Sequence, residues 1–216
     1  MAIGVIRGEQ TMPLNSTLEF AAKQGMQIRY TTRDAYRKKN SAEFLQQLET
    51  EIGQFFLIPE GGSNELAVRG CAEFAEAELA KITFDHLCLP VGTGGTMAGL
   101  ICGLKGGREI IGVPVLKDGG FLKNEIEKMA VSFSGVHYED WSLMTQYHHG
   151  GYAKTSAQLL SFIDEMKIVH GLPLDPVYTG KLFWAIIKEV EAGSFKRGST
   201  ILALHTGGLQ ASPRSP

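Results

Sequence analysis

The residues best suited to chemistry lie in Gly92-Thr93-Gly94-Gly95-Thr96, between the apolar run His86 to Val91 and the apolar stretch Met97 to Leu104. Glycines let successive amides turn inward and approach an anion closely, and the two threonines add hydroxyl donors. A helix that starts here contributes the positive end of its dipole. The pattern is that of a phosphate cradle. The alternative is a tight strand-to-helix turn that uses glycine for packing alone, but packing does not require threonines around the double glycine. A dinucleotide fingerprint would need glycine where Met97 stands. A Walker A loop would need lysine after its final glycine, where Leu100 follows Gly99.

Other reactive side chains are less organised. Cys71, Cys88 and Cys102 are odd in number, lie in apolar segments and form no C-x-x-C pair, so neither a disulfide framework nor a zinc site is expected. His148-His149 reads as a solvated loop pair whose rings point apart, His170 as a cap on helix carbonyls, and His205 as a residue packed beside a strand end. Lys181 opens a helix after a glycine turn and reads as a surface charge. No metal is expected.

The elements that must position the loop alternate between strand and helix. Ile3 to Gly8 reads as a short buried strand, Asn15 to Gln24 as a helix, and Met26 to Thr31 as a second strand. Ala42 to Thr50 reads as a helix, and the apolar Phe55 to Pro59 ends in the turn-rich Glu60-Gly61-Gly62-Ser63-Asn64. Helices are then expected over Leu66 to Leu79, Met97 to Leu104, Phe121 to Ala130, Ala157 to His170 and Lys181 to Ala192. Strands are expected over His86 to Val91, Ile110 to Val115 and Thr200 to Leu204. Such alternation predicts an α/β fold with an open, mainly parallel sheet flanked by helices. The last strand delivers His205-Thr206-Gly207-Gly208 to its C-terminal edge, where open α/β sheets carry ligands. A boundary near residue 52 divides residues 1–52 from residues 53–210, and 211–216 reads as an unstructured tail.

A formal net charge of -2 offers no basic field for nucleic acid or an anionic membrane. No apolar run approaches the ~20 residues of a membrane span, and the first residues lack the order of a signal peptide. With unpaired cysteines, these features lead to the expectation of a cytoplasmic protein that handles small molecules.

Beyond the glycine loop, Pro59-Glu60-Gly61-Gly62-Ser63-Asn64, Gly150-Gly151-Tyr152, Asp175-Pro176-Val177-Tyr178-Thr179-Gly180-Lys181 and His205-Thr206-Gly207-Gly208-Leu209 follow in order. Together they resemble the D-cysteine desulfhydrase and 1-aminocyclopropane-1-carboxylate deaminase family of fold type II, tryptophan synthase β-like, enzymes that use pyridoxal 5'-phosphate. The resemblance covers nearly the whole chain. It implies that Gly92, Thr93, Gly94, Gly95 and Thr96 hold the cofactor phosphate and that Thr206 offers its hydroxyl to the pyridine nitrogen. It further implies that Tyr152 and Tyr178 line the substrate face of the ring. Each of these residues has a plainer reading, Thr206 as a turn residue and the tyrosines as core residues bonded to backbone. The deaminase branch carries glutamate where Thr179 stands and the desulfhydrase branch carries threonine, so the resemblance favours D-cysteine as the amino-acid substrate. A homodimer is implied as well.

In that family the lysine that binds the cofactor covalently lies in an Asn-Lys-x-Arg context, followed by a Gln-Ser-Asn-His segment; neither occurs here. The expectation is therefore a chain that begins inside the family's smaller domain, after its reactive centre, with residues 1–52 as the remainder of that domain and 53–210 as the large phosphate-binding domain. Such a chain is expected to be inactive alone. The alternatives are a 1-aminocyclopropane-1-carboxylate deaminase or related fold type II enzyme, and a non-catalytic module that binds pyridoxal phosphate or another phosphorylated ligand.

Overall fold

A computed structural model describes residues 1–8 and 13–209. The expected tail over 211–216 lies outside the described residues. Two compact units are present, Met1–Leu57 and Ile58–Pro216.

In the first unit, β1 (Ile3–Arg7) pairs in parallel with β2 (Gln27–Thr31), from Ile3 opposite Gln27 to Arg7 opposite Thr31. A parallel pair needs a crossover, and α1 (Ser16–Lys23) supplies it, capped by Asn15, which accepts from the Leu18 amide at 2.9 Å. Two helices follow, α2 (Arg33–Arg37) behind Thr32 and α3 (Ala42–Ile52) behind Ser41. The sequence pattern does not signal α2, because five residues are too few to show a periodicity.

The second unit holds a four-stranded sheet in the order β5-β4-β3-β6, with every pairing parallel. Its strands are β3 (His86–Val91), β4 (Glu109–Pro114), β5 (Trp141–Leu143) and β6 (Ile201–Ala203). Chain order runs from β3 outward through β4 to β5, then returns to place β6 on the other side of β3. The direction of winding thus reverses between β3 and β6, and the carboxyl ends of those two strands border the crevice where open α/β sheets bind ligands. β3 and β4 are buried from their second residues onward, as expected of strands covered on both faces.

Among the described residues five helices accompany this sheet, α4 (Glu65–Ala77), α5 (Gly95–Leu104), α6 (Leu122–Ser134), α7 (Ala157–His170) and α8 (Thr179–Glu191), with α5 and α8 packed on its strands, α4 on α5 and α7 on α8. α5 is apolar on all sides, with Met97, Ala98, Leu100, Ile101 and Cys102 buried, because it lies between neighbours and has no solvent face. Two glycines let α4 approach it. A Cβ on Gly99 would sit 2.5 Å from the Val68 carbonyl oxygen, and one on Gly103 only 2.3 Å from that of Ala72. The core formed here, including Val68, Leu89, Val91, Leu100 and Ile126, is the platform on which the glycine loop rests.

Candidate functional site

β3 ends at Val91, and α5 begins four residues later at Gly95. Gly94, the N-cap residue, has φ 91 and no side chain with which to cap the helix. A Cβ there would also meet Ile126 Cγ1 at 2.6 Å, so both backbone and space demand glycine. By contrast, α1, α3, α4 and α7 are capped by Asn15, Ser41, Asn64 and Ser156. The first amides of an α-helix have no partner within it, and at α5 no cap residue side chain meets them.

A second segment lies against this turn. Gly61, at φ 71, brings its backbone so close to Thr93 that a Cβ would stand 2.6 Å from the threonine Oγ1 and Cγ2, and a Cβ on Gly95 would stand 2.7 Å from Ser63 Oγ. The hydroxyls of Ser63 and Thr93 are 2.5 Å apart in a hydrogen bond. The motif Pro59 to Asn64 therefore braces the loop.

Between these pieces lies a cavity of about 160 Å³, lined by Gly61, the stretch from Pro90 to Met97, Tyr178 and Thr206. Thr206 follows β6 and is exposed. The sequence expectation that the glycine loop and the strand-terminal threonine share one site corresponds to this common lining. Its donors are amides, hydroxyls and a phenol.

Tyr178 borders the cavity directly, with ring atoms 3.3 Å from where a Gly92 Cβ would lie. Burial, and then hydrogen bonding with the Tyr152 phenol, push its pKa up from 10.0 to about 12. The two rings meet edge to face with centroids 6.2 Å apart. Tyr152 does not line the cavity walls; it is 58% exposed and stands beside Tyr178 toward solvent.

Thr179 lies elsewhere than its neighbour. It is fully buried, and its hydroxyl donates to Asp175 Oδ2 at 2.7 Å while accepting from the Asp175 amide at 2.9 Å. Asp175, itself 1% exposed, also accepts from the amides of Val177, Tyr178 and Thr179, each at 2.8 Å. This carboxylate caps α8 from three residues before the N-cap residue and fixes the turn that presents Tyr178. It touches the Thr206 segment too: a Cβ on Gly208 would lie 3.2 Å from Asp175 Cγ.

Two expectations need correction. Lys181 is not a surface charge but fully buried, donating to the Gly151 carbonyl at 2.7 Å and more weakly to that of Val115 at 3.4 Å. Burial lowers its pKa from 10.5 to about 8, with Asp175 opposing the shift. Its position after Gly180 is responsible, since a Cβ there would clash with Ile163 and the Asp175 carbonyl, so this turn of α8 faces inward. The His148-His149 pair is not simply solvated either. His148 Nδ1 accepts from the Gly150 amide, while His149 bonds Ser156 Oγ at 3.0 Å and stacks edge to face on Trp184. Its buried Nε2 has no hydrogen-bond partner among the described residues.

Among the described residues, no cluster of three or more His, Cys, Asp or Glu side chains is arranged to hold a metal ion, and no helix is long and apolar enough to cross a membrane.

Comparison with known proteins bears on what occupies this site. A Pyrococcus horikoshii protein, provisionally named a 1-aminocyclopropane-1-carboxylate deaminase, is 31% identical over 96% of this chain and 66% of its own length. A D-cysteine desulfhydrase of Yersinia enterocolitica is 30% identical over 79% of this chain and 55% of its own. A solved structure described as an ACC deaminase homologue superposes with a TM-score of 0.78 at 27% identity, over 96% of this chain and 66% of that one. The chain thus spans less than two thirds of the length of each. The model of the pyridoxal-phosphate dependent enzyme family matches residues 9–207, nearly all of both units. A glycine turn with uncapped helix amides, a hydroxyl at the end of the neighbouring strand and a winding reversal between them suit a phosphorylated heterocycle, and with this match they establish that the chain belongs to the fold type II pyridoxal-phosphate dependent enzymes.

Proposed function

We propose that this chain carries the phosphate-binding and ring-facing part of a pyridoxal-phosphate dependent D-cysteine desulfhydrase, whose overall reaction converts D-cysteine and water to pyruvate, sulfide and ammonia. The observation that carries this reading is the single cavity lined by the Gly92 to Thr96 turn, Tyr178 and Thr206. When bound, the cofactor supplies an electron sink for a substrate that loses its α-proton.

In this reading the first amides of α5 and the hydroxyls of Thr93 and Thr96 hold the phosphate, with Ser63 keeping the Thr93 side chain in place. Thr206 presents a hydroxyl to the pyridine nitrogen. A neutral hydroxyl cannot keep that nitrogen protonated, which disfavours long-lived carbanions and suits prompt β-elimination. Tyr178 retains its proton at neutral pH, since its pKa is pushed up to about 12, so it acts as a donor that orients substrate rather than as a base. Tyr152 stands over it at the open side.

Thr179 supports the desulfhydrase over the cyclopropane deaminase. Its site is closed, and its hydroxyl is committed to Asp175. A carboxylate there would be buried beside another one.

The chain contains no Asn-Lys-x-Arg segment, so by itself it is proposed to bind the cofactor without turnover, probed by adding pyridoxal phosphate and D-cysteine and assaying pyruvate and sulfide. Neither product is expected from this chain. A version extended upstream by a relative's Asn-Lys-x-Arg region should release both from D-cysteine. Faster turnover of 1-aminocyclopropane-1-carboxylate than of D-cysteine by that version would overturn the substrate assignment.

A further inference from the structure

Lys181 is a buried cation in a family whose chemistry is assigned above to other residues, and its contacts are specific. Its ammonium lies between three pieces of chain that are far apart in sequence: the Gly151 carbonyl at 2.7 Å, the Val115 carbonyl at 3.4 Å, and its own helix, α8. Gly151 immediately precedes Tyr152, and Tyr178 immediately precedes α8. Local bonds close this turn on itself, the Gly151 amide donating to the His148 carbonyl and the Lys154 amide to that of Gly151, both at 3.0 Å, and Lys181 adds a bond from α8 to the backbone beside Tyr152. His149 and Ala153 both have positive φ, as do Gly150 and Gly151, which makes four of five consecutive residues left-handed or nearly so around Tyr152. Such backbone persists only where its surroundings fix it. A Cβ on Gly151 would also stand 3.2 Å from Lys117 Cβ, so the turn is pressed against the segment after β4.

We propose that Lys181 is a positioning residue: its ammonium fastens the backbone of the Tyr152 turn to the helix carrying Tyr178, so that the two phenols meet. The proposal deepens the reading of the two tyrosines as ring-facing groups and rests on it for its consequence. An ammonium suits this task because it has three donors, no acceptor and a stem long enough to cross the interior. Asp175 stabilises the charge and caps the same helix, so the two buried ions secure both sides of the Tyr178 turn.

The test uses the full chain labelled at tyrosine Cζ, in wild type, Lys181→Met, Tyr152→Phe and the double variant, with the Tyr178 Cζ shift, which reports the hydrogen bond between the two phenols, read by NMR at about pH 7, where Lys181, titrating at about 8, carries its charge. Tyr152→Phe removes the phenol partner, and the Tyr178 shift should move. Lys181→Met should move it comparably and in the same direction although it touches neither phenol, and the double variant should go no further. A Lys181→Met chain that melts earlier but keeps the wild-type Tyr178 shift would reduce Lys181 to a merely structural role and overturn the proposal. Should that variant fail to fold, amide exchange in the wild type decides. The Gly151 and Lys154 amides, which close the turn, should exchange as slowly as those in the second turn of α8; exchange about a hundredfold faster would overturn the tether. Pyridoxal phosphate titrated into the wild type, followed at the Gly92 to Thr96 amides, tests the cofactor reading separately, since its failure would leave the tyrosine result standing.

Discussion

Asp175 and Thr179 exchange two hydrogen bonds across one buried turn, amide to hydroxyl at 2.9 Å and hydroxyl to carboxylate at 2.7 Å. Replacing Thr179 by valine keeps its shape but leaves one donor and one acceptor of Asp175 short of a partner. The expected cost is about 1–3 kcal/mol, read as a shift in the urea midpoint. Thr179→Glu should cost more, because it buries a second carboxylate beside the first.

The glycine loop makes a prediction about binding. Alanine at Gly95 would place its Cβ 2.7 Å from Ser63 Oγ, breaking the brace between Ser63 and Thr93. We expect about tenfold weaker pyridoxal phosphate binding, about 1.4 kcal/mol, measured by calorimetry. Gly94→Ala should in addition destabilise the fold by about 1–3 kcal/mol, because φ 91 is hostile to a side chain.

How far the sequence revealed this architecture depended on the length and burial of each element. β3, α5 and α7 were legible nearly to the residue, since long apolar runs and a glycine boundary leave little choice. β5 was not foreseen, because three residues with a partly exposed pattern carry no period. Gly92 to Thr96 are legible from the loop's own residues, whereas Tyr178 and Thr206 are named by the family resemblance; all of them share a lining. Lys181 was misread because a lone lysine after a glycine gives no sign of where its side chain ends. The organising role of Asp175 was missed too, although an aspartate shortly before a helix is a recognised capping signal.

Close packing between α4 and α5 depends on residues that look dispensable. Valine at Gly103 would drive its Cβ to 2.3 Å from the Ala72 carbonyl oxygen. Separation of the helices should cost at least about 1–3 kcal/mol, the usual range for overpacking, and a thermal melt followed by circular dichroism should show a lower midpoint.

Lys181 predicts a pH dependence of stability. Its folded pKa, about 8, lies below the ordinary 10.5, so between these values the unfolded chain binds more protons and stability rises with pH. Below about pH 8 both states are protonated and the slope vanishes. Compared with Lys181→Met, the wild type should therefore gain stability between about pH 8 and 9, approaching about 1.4 kcal/mol per unit at most. Urea titrations of both proteins check this, and the comparison cancels the opposing contribution of Cys88, whose thiol is pushed up to about 12.

The account rests on the turn from Gly92 to Thr96 gripping a phosphate while Thr206 faces the ring attached to it. The most direct measurement titrates the chain with pyridoxal 5'-phosphate and with pyridoxal, following the backbone amides of the turn and of Thr206 by NMR. The phosphorylated form should bind at least about tenfold more tightly and shift both sets of amides together. Equal affinity for the two compounds, or shifts that leave Gly94 and Gly95 unmoved, would contradict it.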